Sequence, residues 1–177
     1  MQTQLAGWLA ALDACTAHAH RLAERAGNDG FNRRPPSGKW SLGEHLAHLN
    51  LGTEPYLPIF ERLAADPKSG PRDEGRRYRR DVLGALLCWF IAPPVRVRTR
   101  TTPAFVPSGE VPRAQTMAAF ERLQRELAHQ VRALSGLDLN AARVVSPFAE
   151  NVTYNAWTAV SLLTAHQRRH LWLVEHP

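Results

Sequence analysis

The chain of 177 residues has only two cysteines, Cys15 and Cys88, and they lie far apart. This scarcity argues against a disulfide framework or a CxxC site, so we expect two reduced thiols in or near the core of a cytoplasmic protein. No apolar run reaches the roughly 18 residues that a membrane span needs. The first apolar stretch has no basic residue before it, which indicates the start of a helix and not a signal peptide.

The sequence also lacks nucleic-acid signatures, although its formal charge is +6. The excess is concentrated between Lys68 and Arg100, where nine basic residues stand against three acidic ones. The arginines are interleaved with a single aromatic residue, Tyr78, and match neither a helix-turn-helix nor an RNA-binding pattern. We therefore interpret this stretch as a solvated basic face and expect neither nucleic acid nor a membrane as partner.

Apolar residues recur at three- and four-residue steps in most of the chain, which favours amphipathic helices. Ser41 followed by Glu44 fits a capping box at one helix start, and Pro55 and Pro58 are expected to bend that helix. The predicted helices cover about 3–26, 41–65, 79–91, 113–134 and a final one capped by Asn151 or Thr153 that runs nearly to the C-terminus. Residues 66–77, 103–112 and 137–150 are predicted as loops, and 95–101 as an extended segment.

These elements predict one all-α domain over residues 1–177. Four long helices, joined by two short connections and one long crossover, favour a four-helix bundle with an inserted short helix, the insertion covering about 66–103. A domain of this size folds without a structural metal, so a bound metal would serve function. Bundles commonly build metal sites from side chains on facing helices.

The most informative pair of residues is His166 and His170, four positions apart in the last predicted helix. On a helix, that spacing places both imidazoles on one face, about one turn apart, as a chelating pair requires. Position 167 is Gln, so the HExxH arrangement with its built-in general base is absent. A catalytic metal site usually takes three protein ligands, and a third must come from another segment.

The best upstream donors are His45 and His48, which flank the apolar stripe of the second predicted helix. Periodicity alone does not separate them, and both stay candidate ligands on this basis. The remaining histidines, His18, His20, His129 and His176, have no partner on the same helical face, and we interpret them as surface or capping groups.

Residues 36–49 contain a Gly38-Lys-Trp-Ser41 turn leading into a helix with Glu44 and His48, and residues 163–170 contain an HxxxH in the last helix. Together these two segments resemble the DinB/YfiT-like superfamily. The resemblance implies that His48, His166 and His170 hold one divalent metal ion, commonly zinc or nickel, and that His45 points to the rim or the cap. It also implies a four-helix bundle with a long crossover and a homodimer.

The resemblance further implies a function. In characterised branches of that superfamily the metal activates a low-molecular-weight thiol for transfer, so we favour a metal-dependent thiol transferase acting with a small thiol and an electrophile. Arginines of the insertion would bind the anionic groups of the thiol. A metal-dependent hydrolase and a non-catalytic metal-binding stress-response module stay open as alternatives.

Four further residues near these motifs have two interpretations each. Glu44 either caps its helix or accepts a hydrogen bond from His48, and we favour capping. Trp40, Trp157 and Trp172 either line the pocket or pack in the core, and we favour the core.

Overall fold

Helices dominate the computed structural model, which describes residues 2–66, 77–96, 101–108 and 111–177. The α-helices in these ranges are α1 (Gln2–Phe31), α2 (Leu42–Thr53), α3 (Leu57–Ala65), α4 (Val82–Ile91), α5 (Arg113–Ala133) and α6 (Ala156–Glu175). Two single 3-10 turns, Glu54–Tyr56 and Pro103–Phe105, and an antiparallel hairpin of β1 (Arg143–Ser146) and β2 (Ala149–Asn155) complete the described elements. The prediction of a mostly helical fold is confirmed. The prediction that the domain is purely α-helical is corrected by the two-stranded hairpin.

The ends of the first two helices follow the local sequence signals. Gly27 adopts a φ of 64°, which breaks the regular helix of α1 where the sequence predicts its end. The predicted capping box opens α2: the Ser41 hydroxyl accepts from the Glu44 N–H at 3.2 Å, and the Glu44 carboxylate accepts from the Ser41 N–H at 2.8 Å. Pro55 lies in the 3-10 turn that separates α2 from α3, as expected of a proline inside a helical pattern.

The predicted loop 137–150 is wrong from residue 143 onwards, where the hairpin begins, and the predicted cap at Asn151 or Thr153 is also wrong. Both residues lie in β2, where Thr153 pairs with Val145, and the helix begins only after Asn155. The Asn155 side chain accepts from the Thr158 N–H at 2.8 Å and is the actual cap of α6. The hairpin forms because alternate residues of β1, Val144 and Ser146, face the protein interior.

The inserted short helix begins later than predicted. Asp81 caps α4, with its carboxylate accepting from the Gly84 N–H at 2.8 Å, so the helix starts at Val82 instead of residue 79. Most of the predicted loop 66–77 and of the predicted extended segment 95–101 lie outside the described residues. The predicted loop 103–112 contains the 3-10 turn Pro103–Phe105.

The packing of the helices determines where the site lies. Both α1 and α2 pack against α5 and against α6, while α3 packs on α5 and α4 packs on α6. Apolar side chains fill the space between them; the most deeply buried include Leu12, Leu46, Phe60, Phe120, Leu127 and Leu171. In the ranges that the structure describes, none of the helices is both long and apolar enough to cross a membrane.

The contact between α4 and α6 is close enough to require glycine. A Cβ added at Gly84 would lie 2.0 Å from the Thr158 Oγ1 and 2.7 Å from its Cβ. Because Thr158 is fully buried, neither helix has room to accommodate a methyl group without moving.

We expect Gly84→Ala to destabilise the protein by about 1–3 kcal/mol through overpacking, measured by urea unfolding. The matched control is Gly7→Ala in α1, where a Cβ would meet nothing within 4 Å. That change replaces a helical glycine by alanine and is expected to stabilise by up to about 1 kcal/mol. An unchanged midpoint for Gly84→Ala would show that α4 is not docked on α6.

Candidate metal centre

Two ring nitrogens meet where α2 faces α6. The Nε2 atoms of His48 and His166 lie 3.1 Å apart, with the rings in an edge-on arrangement. His48 is 6% exposed, whereas His166 is only partly covered. A pair of ring nitrogens this close shares a proton or points at a common cation.

A backbone carbonyl fixes the orientation of His48. Its Nδ1 lies 2.7 Å from the oxygen of Phe105, in the 3-10 turn Pro103–Phe105. The carbonyl can only accept, so Nδ1 carries the hydrogen and donates it. In the neutral ring, Nε2 is then the unprotonated nitrogen, and its lone pair is directed towards His166.

His170 completes a cluster of three histidines. One ligand nitrogen from each of His48, His166 and His170 lies within 4.8 Å of the other two, a grouping that can hold a metal ion. These are the three residues that the sequence motifs single out, and the structure brings all of them together. No other group of three or more potential metal-ligating residues occurs in the described ranges.

The prediction that His45 points to the rim or the cap is wrong. His45 is 5% exposed, and its Nδ1 lies 2.9 Å from the Nδ1 of His170. The rings are tilted, with centroids 5.1 Å apart. Residues three apart on a helix occupy neighbouring positions of one face, so His45 turns inward together with His48.

Desolvation by the surrounding protein keeps these imidazoles neutral, including His166, which retains some exposure at the cavity. It lowers the pKa of His166 to about 3, with His48 and Arg169 adding to the shift, and lowers the pKa of His45 to about 4, with His48 as the second cause. Burial also lowers the pKa of His48, and it lowers the pKa of His170 well below its usual range. Neutral imidazole is the form that binds metal ions.

The cluster lines a large cavity of about 1070 Å³. Much of its wall is apolar and aromatic and includes Leu87, Ile91, Phe105, Phe148, Leu163 and Trp172. Three cationic side chains, those of Lys39, Arg96 and Arg169, also line it, and none of the described lining residues is Asp or Glu. The positive charge of these side chains favours an anionic ligand.

Glu44 is engaged outside this cluster. Its carboxylate accepts from the Ser41 N–H in the capping box and forms a salt bridge with Arg34, and hydrogen bonding to Arg34 is the main factor that lowers its pKa. These contacts support the capping interpretation that the sequence favoured.

The tryptophans divide between the cavity and the core. Trp40 lies beside the cluster, with its ring 5.1 Å from that of His48 and 6.2 Å from that of His170, and Trp172 also lines the cavity. For these two, the interpretation as core residues is wrong. Trp157 stacks on the buried Tyr78, with ring centroids 5.0 Å apart, which agrees with a position in the core.

Sequence reasoning missed two groups that shape the site. The carbonyl that orients His48 belongs to Phe105, and a backbone oxygen leaves no mark in a sequence. Gly52 lies beside His166: an added Cβ would stand 3.3 Å from the Cε1 of that ring. A glycine one helical turn after His48 is the one signal that pointed to a close approach here.

The protein is mostly helical, and neutral imidazoles from two packed helices meet at its cavity. Three of these histidines form a cluster that can hold a metal ion. The chain belongs to the DinB superfamily, whose family model matches residues 11–174. No curated protein and no solved structure matches the chain.

The depressed pKa values predict how the metal-free protein responds to acid. Between pH 6.5 and about 4 the unfolded chain binds protons at histidines that stay neutral in the fold, so the free energy of unfolding decreases as the pH is lowered through this window. Each such histidine contributes up to about 1.4 kcal/mol per pH unit. Urea midpoints measured between pH 7 and 4 should show a shallower decrease for His166→Gln than for the unsubstituted protein. The control is the substitution His129→Gln, at an exposed histidine. Equal slopes for all three proteins would contradict a desolvated, neutral His166.

Proposed function

We propose that His48, His166 and His170 hold one divalent metal ion and that the protein uses it to transfer a low-molecular-weight thiol to an electrophile. The observation that carries the proposal is the convergence of three imidazole nitrogens within 4.8 Å, beside a cavity wide enough for a small-molecule substrate. Imidazole is a suitable ligand for both zinc and nickel, so either ion fits this donor set.

The geometry of the donors supports a metal ion. Two imidazole nitrogens bound at 2.0–2.1 Å to a tetrahedral ion lie about 3.3 Å apart. The 3.1 Å between the Nε2 atoms of His48 and His166 is close to that value. The hydrogen bond from His48 to the Phe105 carbonyl is the second contact expected of a metal-binding histidine, because it fixes the ring and leaves the other nitrogen unprotonated.

Transfer of a thiol suits the groups around the cluster. A divalent ion on three histidines keeps a coordination position open, lowers the pKa of what binds there and deprotonates a coordinated thiol outright. Among the described residues, no carboxylate lines the cavity and Glu44 is held in the capping box, so this part of the chain places no acidic general base beside the cluster for attack by water. This favours thiol transfer over hydrolysis.

The remaining lining residues match the needs of such a substrate. Lys39, Arg96 and Arg169 provide positive charge for the anionic groups of a thiol cofactor. Arg96 belongs to the insertion, and its guanidinium lies 4.8 Å from the ring centroid of Trp89 while donating to the carbonyl of that residue. The aromatic pair Phe105 and Phe148, with ring centroids 4.6 Å apart, adds apolar surface to the cavity wall.

The larger architecture belongs to the same proposal. We assign α1, the α2–α3 pair, α5 and α6 to a four-helix bundle, with α4 in an insertion of about 66–103, because α1 and α2 each pack against both α5 and α6. A cytoplasmic homodimer is the assembly we propose for it.

Metal binding is tested by the combined change of His48, His166 and His170 to Ala. The unsubstituted protein is expected to hold about one zinc or nickel ion per chain by elemental analysis after dialysis, and the triple variant close to none. The matched control replaces His18, His20 and His129, three histidines outside the cluster, and should keep its metal. Equal metal content in both triple variants, with the helical circular dichroism preserved, would contradict the assignment.

The activity is tested with the metal-loaded protein, a panel of small cellular thiols and a chromogenic electrophile. We expect turnover that depends on metal and on thiol, and at least a hundredfold loss in the triple variant. Arg96→Gln should raise KM for an anionic thiol much more than for a neutral one, because the charge contact is lost. Ester or amide hydrolysis without any thiol transfer would support a hydrolase in place of the transferase.

A further inference from the structure

His45 is a fourth histidine that the three-ligand cluster does not use. It is buried, and its Nδ1 lies 2.9 Å from the Nδ1 of His170. Its ring also meets Trp40 edge-on, with centroids 5.6 Å apart. His45 and His170 are 125 residues apart in the sequence, so only the packing of α2 on α6 brings them into contact.

The contact between two Nδ1 atoms allows only two arrangements of neutral rings. Either His170 donates its Nδ1 hydrogen to His45, or His45 donates to His170. In the first arrangement, the Nε2 of His170 has a free lone pair. In the second, that Nε2 carries the hydrogen and the Nδ1 lone pair is occupied by His45, so His170 has no nitrogen available for a metal.

Only the first arrangement is compatible with metal binding by His170 while the hydrogen bond is kept. It repeats the arrangement at His48, where Nδ1 donates to the Phe105 carbonyl and Nε2 faces the cluster. In both cases, an acceptor on the far side of the ring selects the tautomer and fixes its plane. For His170 that acceptor is a side chain, and it can be changed by mutation.

We propose that His45 is a positioning residue: its Nδ1 accepts the Nδ1 hydrogen of His170 and so directs the Nε2 of His170 to the metal. The inference rests on the proposed metal site and adds to it the group that orients one ligand. His45 itself contributes no bond to the metal ion.

Substitutions at position 45 separate an acceptor role from simple packing. His45→Phe fills the space but removes the acceptor. The Oδ1 of asparagine can take the position of the histidine Nδ1, whereas the longer glutamine places its oxygen nearer the position of Nε2. We expect the Kd for zinc, measured by competition with a chromophoric chelator, to rise about 10–100-fold in His45→Phe and His45→Gln. His45→Asn should recover most of the affinity.

A second measurement uses the unsubstituted protein and does not depend on how a variant folds. In the zinc-loaded protein, ¹⁵N correlation spectra of the histidine rings should show His170 protonated at Nδ1 and metal-bound through Nε2. Cobalt(II) spectra of the position 45 variants provide a further test: the visible absorption bands should change in His45→Phe and return in His45→Asn.

The outcomes distinguish this inference from the proposed metal site. If the unsubstituted protein binds no ion, both the metal site and the role of His45 are overturned. If it binds one ion and His45→Phe binds with equal affinity, or if His170 is protonated at Nε2, only the role of His45 is overturned. Reduced affinity in His45→Phe with recovery in His45→Asn supports the inference.

Discussion

The packing of α2 against α6 is the contact on which the site depends. It places His45 and His48 from one helix against His166 and His170 from the other, in the wall of the cavity. Desolvation opposes protonation of the rings, so the cluster is a set of neutral nitrogens at physiological pH. Without this contact, the four residues would be ordinary histidines on two separate amphipathic helices.

Neighbouring elements control that contact in detail. The capping box of Ser41 and Glu44 fixes where α2 starts, which determines the direction of every side chain that follows. Gly52 lets the ring of His166 approach the backbone of α2, and Asn155 caps α6 at the end of the hairpin. The 3-10 turn that ends at Phe105 brings a carbonyl oxygen to His48. Backbone features in several parts of the chain thus determine how the histidine rings are oriented.

Local patterns in the sequence were sufficient for much of this structure. Periodicity predicted the long helices, and the Ser41 signature predicted the start of α2, because both depend on residues within a few positions of one another. The grouping of His48 with His166 and His170 followed from two short motifs and a family resemblance. The hairpin before α6 was missed because β1 has only four residues and, together with the start of β2, lies in the stretch 137–150 that was predicted as a loop.

The contacts that orient the ligands were beyond local reasoning. The family resemblance implied that His45 points to the rim or the cap, although helical spacing alone had left it a candidate ligand. Its partner in the structure, His170, lies on a different helix. The acceptor of His48 is a main-chain oxygen, which any residue at position 105 would supply. Such contacts depend on how the helices pack against one another. Helix packing is determined by the fold as a whole and not by local sequence patterns.

X-ray absorption spectroscopy of the zinc-loaded protein would show whether three imidazole nitrogens bind one divalent ion and leave a coordination position open. We expect three nitrogen scatterers at about 2.0–2.1 Å with the outer-shell pattern of imidazole rings, and one further light scatterer that a small thiol replaces by sulfur at about 2.3 Å. A first shell of oxygen atoms without imidazole scattering, or four imidazoles with no exchangeable position, would contradict this expectation.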